Sequence, residues 1–176
     1  MLSSDRSAIG VNDFKSELTR VRGKNPDVFF AAHLGLTLGV LLKQKQEVGI
    51  TAKVLGVYEA EDPSVLEVAK AAAEGIRFFV PEPVVETEVV KAFRGRYKKK
   101  YSEDARILAG NAYDGTVIAV QTLTQCHLDG DCAKEKIYQI KNYDGVSGRF
   151  SFDEEGGVER ELVLKTVKNG KFERIH

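Results

Sequence analysis

A chain of 176 residues fits one domain or one and a half, and its 26 Lys plus Arg equal its 26 Asp plus Glu, so no net field draws it to nucleic acid or an anionic surface. Hydrophobic residues at 43% and charged ones at 30% are ordinary for a globular protein. No apolar run nears the roughly 18 residues of a spanning helix, so membrane insertion is not expected, and Met1-Leu-Ser-Ser-Asp-Arg6 lacks the apolar core of a signal peptide.

Residues 1–11 show no period and are expected to form an irregular lead-in. Asn12 or Asp13 is expected to cap a short helix with Phe14, Leu18 and Val21 on one face, stopped at Gly23-Lys-Asn-Pro26. Asp27-Val-Phe-Phe-Ala-Ala32 is too short for a helix and too apolar for an exposed strand, so it reads as a buried strand. Gly35–Val48 has the spacing of a helix, and Gly49 is a C-terminal stop. Lys53–Tyr58 is a second strand. Asp62-Pro63 opens a helix running to Gly75, with Asp62 as cap and Pro63 at the first helical position. Ile76–Val80 is a third strand. Strands alternating with helices predict a parallel sheet with flanking helices, which takes ligands at the carboxyl ends of its strands. Those ends fall at residues 32–37, 58–62 and 80–83.

Pro81-Glu-Pro83 is expected to leave the sheet as a linker. Three helices follow, over Glu86–Tyr101, from Ser102 or Asp104 to about Cys126, and from Asp131 or Cys132 to Tyr143. Lys98-Lys-Lys100 ends the first of them as a solvated run suited to the helix dipole. Gly148-Arg-Phe-Ser-Phe152 and Glu161–Val167 both alternate, and Asp153-Glu-Glu-Gly-Gly157 between them predicts a hairpin. Lys168-Asn-Gly-Lys171 predicts a second, C-terminal β-hairpin. The helices over 86–143 carry broad apolar faces without strands of their own, which implies a partner surface.

Cys126 and Cys132 flank His127-Leu-Asp-Gly-Asp131, where Asp129-Gly130 can turn the chain back. A disulfide and two free thiols both fit. A metal site on Cys126, His127 and Cys132 lacks a fourth ligand, so no metal is expected. The chain has no phosphate-binding loop, no nucleophile elbow and no dinucleotide fingerprint, which argues against an enzyme and against a cofactor. His33 either meets a ligand or bonds backbone groups, Tyr58 either contacts a ligand or ends the sheet, and the Thr37 hydroxyl either caps its helix or meets a ligand.

Asp13-Phe-Lys-Ser-Glu-Leu-Thr-Arg20, Asn25-Pro-Asp-Val-Phe-Phe-Ala-Ala32 and Gly39-Val-Leu-Leu-Lys-Gln44 come in order along the chain. They are followed by Glu61-Asp-Pro-Ser64, Ala112-Tyr-Asp114 and Tyr143-Asp-Gly-Val-Ser-Gly-Arg-Phe-Ser-Phe-Asp-Glu-Glu-Gly-Gly157. In this order the chain resembles the second half of the type I periplasmic binding proteins, the leucine/isoleucine/valine-binding group of solute receptors for ABC importers. The resemblance implies a two-lobed α/β fold that traps a small polar, amino-acid-like solute between its lobes. It also implies ABC importer membrane subunits as partners, and a periplasmic or extracellular location.

On that pattern residues 12–80 form part of the C-terminal lobe, and residues 81–147 hold a hinge and helices expected to pack on an N-terminal lobe. Residues 148–176 form a crossover hairpin and terminal strands. Pro81, Pro83 and Gly145 fall near the crossings, as hinge residues. The cysteine pair matches one common in the family, which favours a Cys126–Cys132 disulfide. The family's ligand-facing aromatic position falls on Leu34, with His33 beside it. Its ammonium-binding acid falls on Tyr58, with Glu59 next, so neither residue type is kept and a one-residue shift would put Glu59 in the acid's role. Complete members are about twice as long, so the chain reads as an incomplete C-terminal portion. The alternatives are an assembly module that forms a homodimer without a pocket, and the sensing domain of a receptor.

Overall fold

The computed structural model describes residues 1–7 and 10–175. The lead-in expectation at Ala8 and Ile9, and the end of the terminal segment at His176, lie outside the described residues. The chain divides into two compact units, Met1–Val80 with the chain from Leu162 onward, and Pro81–Glu161. The segment expected over 148–176 is thus shared between them.

The first unit holds β1 (Val28–Ala31), β2 (Lys53–Gly56), β3 (Arg77–Pro81, entering the second unit at its last residue), β7 (Leu162–Lys168) and β8 (Lys171–Arg174), in that order across one sheet. The β1–β2 and β2–β3 pairs are parallel. Helix α2 (Gly35–Val48) returns the chain from β1 to β2, and Gly49 at φ 81° ends it as expected, with Gly49 and Ile50 donating back to Gln46 and Lys45 carbonyls. Helix α3 (Pro63–Ala69) starts on Asp62, which accepts the Ser64 N–H at 2.9 Å. It packs so close to α2 that a Cβ on Gly39 would lie 2.8 Å from Val68 Cβ. Leu18, Leu38, Leu42, Val65, Ile76 and Phe78 are fully buried between these helices and one sheet face. The β7–β8 hairpin turns on Asn169 and Gly170, both at positive φ as a two-residue turn requires. The Glu74 carboxylate accepts both of their N–H groups.

Three expectations for this unit change. Helix α1 (Lys15–Arg22) has Phe14 at its N-cap rather than Asn12 or Asp13: Gln44 Oε1 takes the Phe14 N–H at 2.7 Å, while Asp13 Oδ1 still accepts the Lys15 N–H at 3.2 Å. Helix α3 stops at Ala69 instead of Gly75, and Lys70–Ala73 continues as a 3-10 turn with Lys70 at φ 50°. The first strand is not buried on both faces: Val28 is 51% exposed and Phe30 65%, as are Leu55 at 40% and Phe79 at 55%. The helices of this unit cover only the other face.

The second unit contains α4 (Glu88–Tyr101), α5 (Ile107–Gln125) and α6 (Gly130–Tyr138). Thr87 caps α4 through the Val90 N–H, and Asp129 caps α6 through the Cys132 N–H at 2.8 Å. Cys126 and Cys132 form a disulfide that joins the end of α5 to the start of α6. Strands β4 (Tyr143–Gly145), β5 (Gly148–Phe152) and β6 (Val158–Glu159) make an antiparallel sheet. The first hairpin is shorter than expected. Asp153 accepts the Glu155 and Gly157 N–H groups, so β6 forms at once and the alternating run from Leu162 joins the other sheet. On α5, Leu108 and Val120 belong to the broad apolar face that the sequence shows, yet they are 58% and 59% exposed. The buried polar positions are instead Asp114 and Thr122.

Candidate ligand-facing site

In the first unit β1 and β2 run in parallel with Ala31 opposite Gly56, so the segments that follow leave neighbouring strands at the same edge. His33 and Leu34 follow β1, and Tyr58 and Glu59 follow β2 in a 3-10 turn over Tyr58–Glu61. Leu34 is the N-cap of α2 and is exposed, and it offers no side-chain acceptor. The first N–H groups of a 14-residue helix therefore face this edge, with the positive end of its dipole. Gly35, at φ 39°, brings the start of α2 against the start of α3, where an added Cβ would lie 3.2 Å from Ser64 Oγ.

His33 is half-buried. Its Nε2 meets Ser7 Oγ at 3.0 Å, its ring stands edge-on to Phe14 at 5.2 Å, and its Nδ1 is buried with no hydrogen-bond partner among the described residues. Burial pushes its pKa below 6.5, so the imidazole is held neutral. The Tyr58 hydroxyl bonds Glu59, which raises the phenol's pKa together with burial. The other two acids after β2 have structural partners: Glu61 forms an ion pair with Lys165, and Asp62 caps α3. This edge therefore presents a neutral imidazole, a phenol–carboxylate pair, an aliphatic side chain and a helix N-terminus.

Pro81, Pro83 and Gly145 lie in the second unit, on a groove of about 790 Å³ that Thr87, Ser147 and Arg160 also line. Below it is a feature that sequence reading missed. Asp114, 3% exposed, accepts the Val146 N–H at 2.9 Å and the Ser147 N–H at 2.8 Å, which fixes the turn from β4 to β5 on α5. Gly145 has no room for a side chain, since a Cβ would stand 2.2 Å from Asp114 Oδ2. Arg160 lies over Phe150 with its guanidinium 5.3 Å from the ring centroid, and burial lowers its pKa while Asp114 raises it. A lone acid in an otherwise uncharged, apolar 19-residue helix was the available signal for Asp114.

A parallel sheet crossed by helices, with polar groups gathered at the carboxyl ends of its strands, is an α/β arrangement of the kind that takes ligands at that edge. The family model described as "Periplasmic binding protein" matches residues 2–171, and the chain belongs to that family, one of binding proteins and not of enzymes. It is 20% identical over 152 residues to the leucine-, isoleucine-, valine-, threonine- and alanine-binding protein of Pseudomonas aeruginosa, covering 85% of this chain and 40% of that protein. Among solved structures it resembles the leucine-binding protein LivK of Thermotoga maritima, with a TM-score of 0.74 and 25% identity over 95% of this chain and 49% of that one. It also resembles LivJ of Streptococcus pneumoniae, a branched-chain amino acid transporter substrate-binding protein in complex with isoleucine, with a TM-score of 0.68 and 25% identity over 96% of this chain and 50% of that one. The chain thus spans about half the length of the relatives it matches or less. Among the described residues no helix is long and apolar enough to cross a membrane.

Proposed function

We propose that the chain is the C-terminal portion of the solute-binding component of an ABC importer, and that it contributes one wall of a cleft for an amino-acid-like solute. The observation that carries this reading is the edge where His33-Leu34 and Tyr58-Glu59 leave adjacent parallel strands beside the uncapped start of α2. Glu59 receives the solute ammonium, Leu34 and the Tyr58 ring line its apolar part, and His33 stands beside Leu34 as the neutral imidazole of this wall. Residues 12–80 serve as part of one lobe, residues 81–147 carry the hinge and the helices of the other, and residues 148–176 hold the crossover and terminal strands. Pro81, Pro83 and Gly145 flank the hinge crossings. The partners are the importer's membrane subunits, in a periplasmic or extracellular setting.

The test is thermal melting of the chain with L-leucine, L-isoleucine, L-valine, L-threonine and L-alanine in turn. A ligand that binds only the folded state stabilises it by about 1.4 kcal/mol at ten times its dissociation constant. At least one of the five should raise the melting temperature of the wild type and leave Glu59→Gln unmoved. No rise with any of them, up to its solubility limit, would remove amino acids as the solute class.

A further inference from the structure

Strand β7 carries a lysine where its pattern calls for an apolar residue. Side chains alternate between the two faces of a strand, so Lys165 lies on the same face as Val163 and Val167, which are 4% and 2% exposed in the core shared with α2 and α3. Its side chain is 19% exposed, and its ammonium forms an ion pair with Glu61, which is 36% exposed and 104 residues away in sequence. Strand β3 stands between β7 and β2. The pair therefore bridges two strand spacings, about 10 Å, to reach the segment that follows β2. Such a pair is weak ground for stability, because desolvation offsets most of its attraction.

The segment it reaches is the 3-10 turn over Tyr58–Glu61. This turn has no side-chain N-cap, and its own hydrogen bonds run from the Ala60 N–H to the Val57 carbonyl at 2.9 Å and from the Asp62 N–H to the Glu59 carbonyl at 3.1 Å. A single 3-10 turn holds its shape poorly, so its anchors set its position. Ala60 is fully buried against β2, where a Cβ on Gly56 would lie 3.2 Å from the Ala60 Cβ. Asp62 caps α3 at the far end. Glu61 is the third anchor, and it ties the turn to a strand beyond β3. Tyr58 and Glu59 are hydrogen-bonded to each other and follow the turn that carries them.

We propose that Lys165 is a positioning residue for the solute wall: by holding Glu61 it fixes the turn, and with it the direction of the Tyr58–Glu59 pair. Lys165 acts through Glu61 and does not itself meet the solute. Every group involved lies in the first unit. The use of the turn as a wall rests on the solute reading, whereas the hold of Lys165 on the turn does not.

The test is amide hydrogen exchange by NMR on the wild type, Lys165→Met and Lys165→Arg, with L-isoleucine then titrated into each. Methionine keeps a stem between Val163 and Val167 and removes the charge, and a cooperative urea transition checks that the variant folds. Glu61→Gln breaks the same pair from its more exposed end and should act in the same way, so it serves if Lys165→Met does not fold. In Lys165→Met, exchange at Ala60 and Asp62 should speed about tenfold, beyond any change in the slowest core amides, while Lys165→Arg stays within about twofold of the wild type. The dissociation constant for L-isoleucine should rise about tenfold in Lys165→Met and return in Lys165→Arg. Exchange at Ala60 and Asp62 that is unchanged, or that follows the slowest core amides, would overturn the proposal and leave Lys165 a contributor to general stability alone. So would an arginine variant that behaves like the methionine one, or faster local exchange with the affinity for L-isoleucine unchanged. Faster local exchange in a protein whose wild type binds no L-isoleucine keeps the hold of Lys165 on the turn and contradicts the solute reading instead.

Discussion

Asp114 places both carboxylate oxygens on backbone N–H groups that have no water to turn to. Asp114→Ala leaves two buried donors unpaired and should cost about 3 kcal/mol, read as a lower urea midpoint at unchanged slope. Gly145→Ala should cost a similar amount, about 3 kcal/mol, because its Cβ displaces the same carboxylate. A change at Gly145 that alters solute closure but not stability would instead favour its hinge role. His33 sets a pH dependence. Burial holds its folded pKa below 6.5, so in the acid range the unfolded chain takes up the proton first. The stability tied to the neutral ring is therefore complete above about pH 6.5 and falls as pH drops through the lowered folded pKa. Urea midpoints at several pH values should fall more steeply on acidification for the wild type than for His33→Gln.

Among the elements, those with strong local punctuation were legible in the sequence. Helix α2 begins and ends where Gly35 and Gly49 place it, Asp62-Pro63 starts α3, and Asn169-Gly170 makes its hairpin. Elements whose limits depend on distant partners were not. Gln44 reaches across 30 residues to take the Phe14 N–H, which moves the N-cap of α1 to Phe14 while Asp13 holds the Lys15 N–H. The run from Leu162 has the alternation of a hairpin strand, but alternation does not say which sheet it joins. The outer side of α5 read as core for a related reason, since periodicity reports an apolar face whether or not anything covers it. The Cys126–Cys132 bridge closes a short loop, at a sequence separation of 6. Chain entropy then gives it about 2 kcal/mol, and a Cys126→Ser/Cys132→Ser chain should unfold at correspondingly lower urea.

At the scale of the molecule, the chain carries about half the length of its relatives, and the proposed solute wall lies at the edge after β1 and β2. His33, Leu34, Tyr58 and Glu59 were placed at that edge by the alternation of strands and helices and by resemblance. The burial of His33 Nδ1, the Tyr58–Glu59 hydrogen bond and the engagement of Glu61 by Lys165 depend on three-dimensional contacts that no local pattern encodes. The most direct measurement is a backbone amide NMR titration of the chain with L-isoleucine. Shifts that saturate and cluster at residues 33–37 and 57–61 are the predicted result. Shifts confined to the groove lined by Pro83, Ser147 and Arg160, or none at all, would contradict the assignment of the solute to the carboxyl ends of β1 and β2.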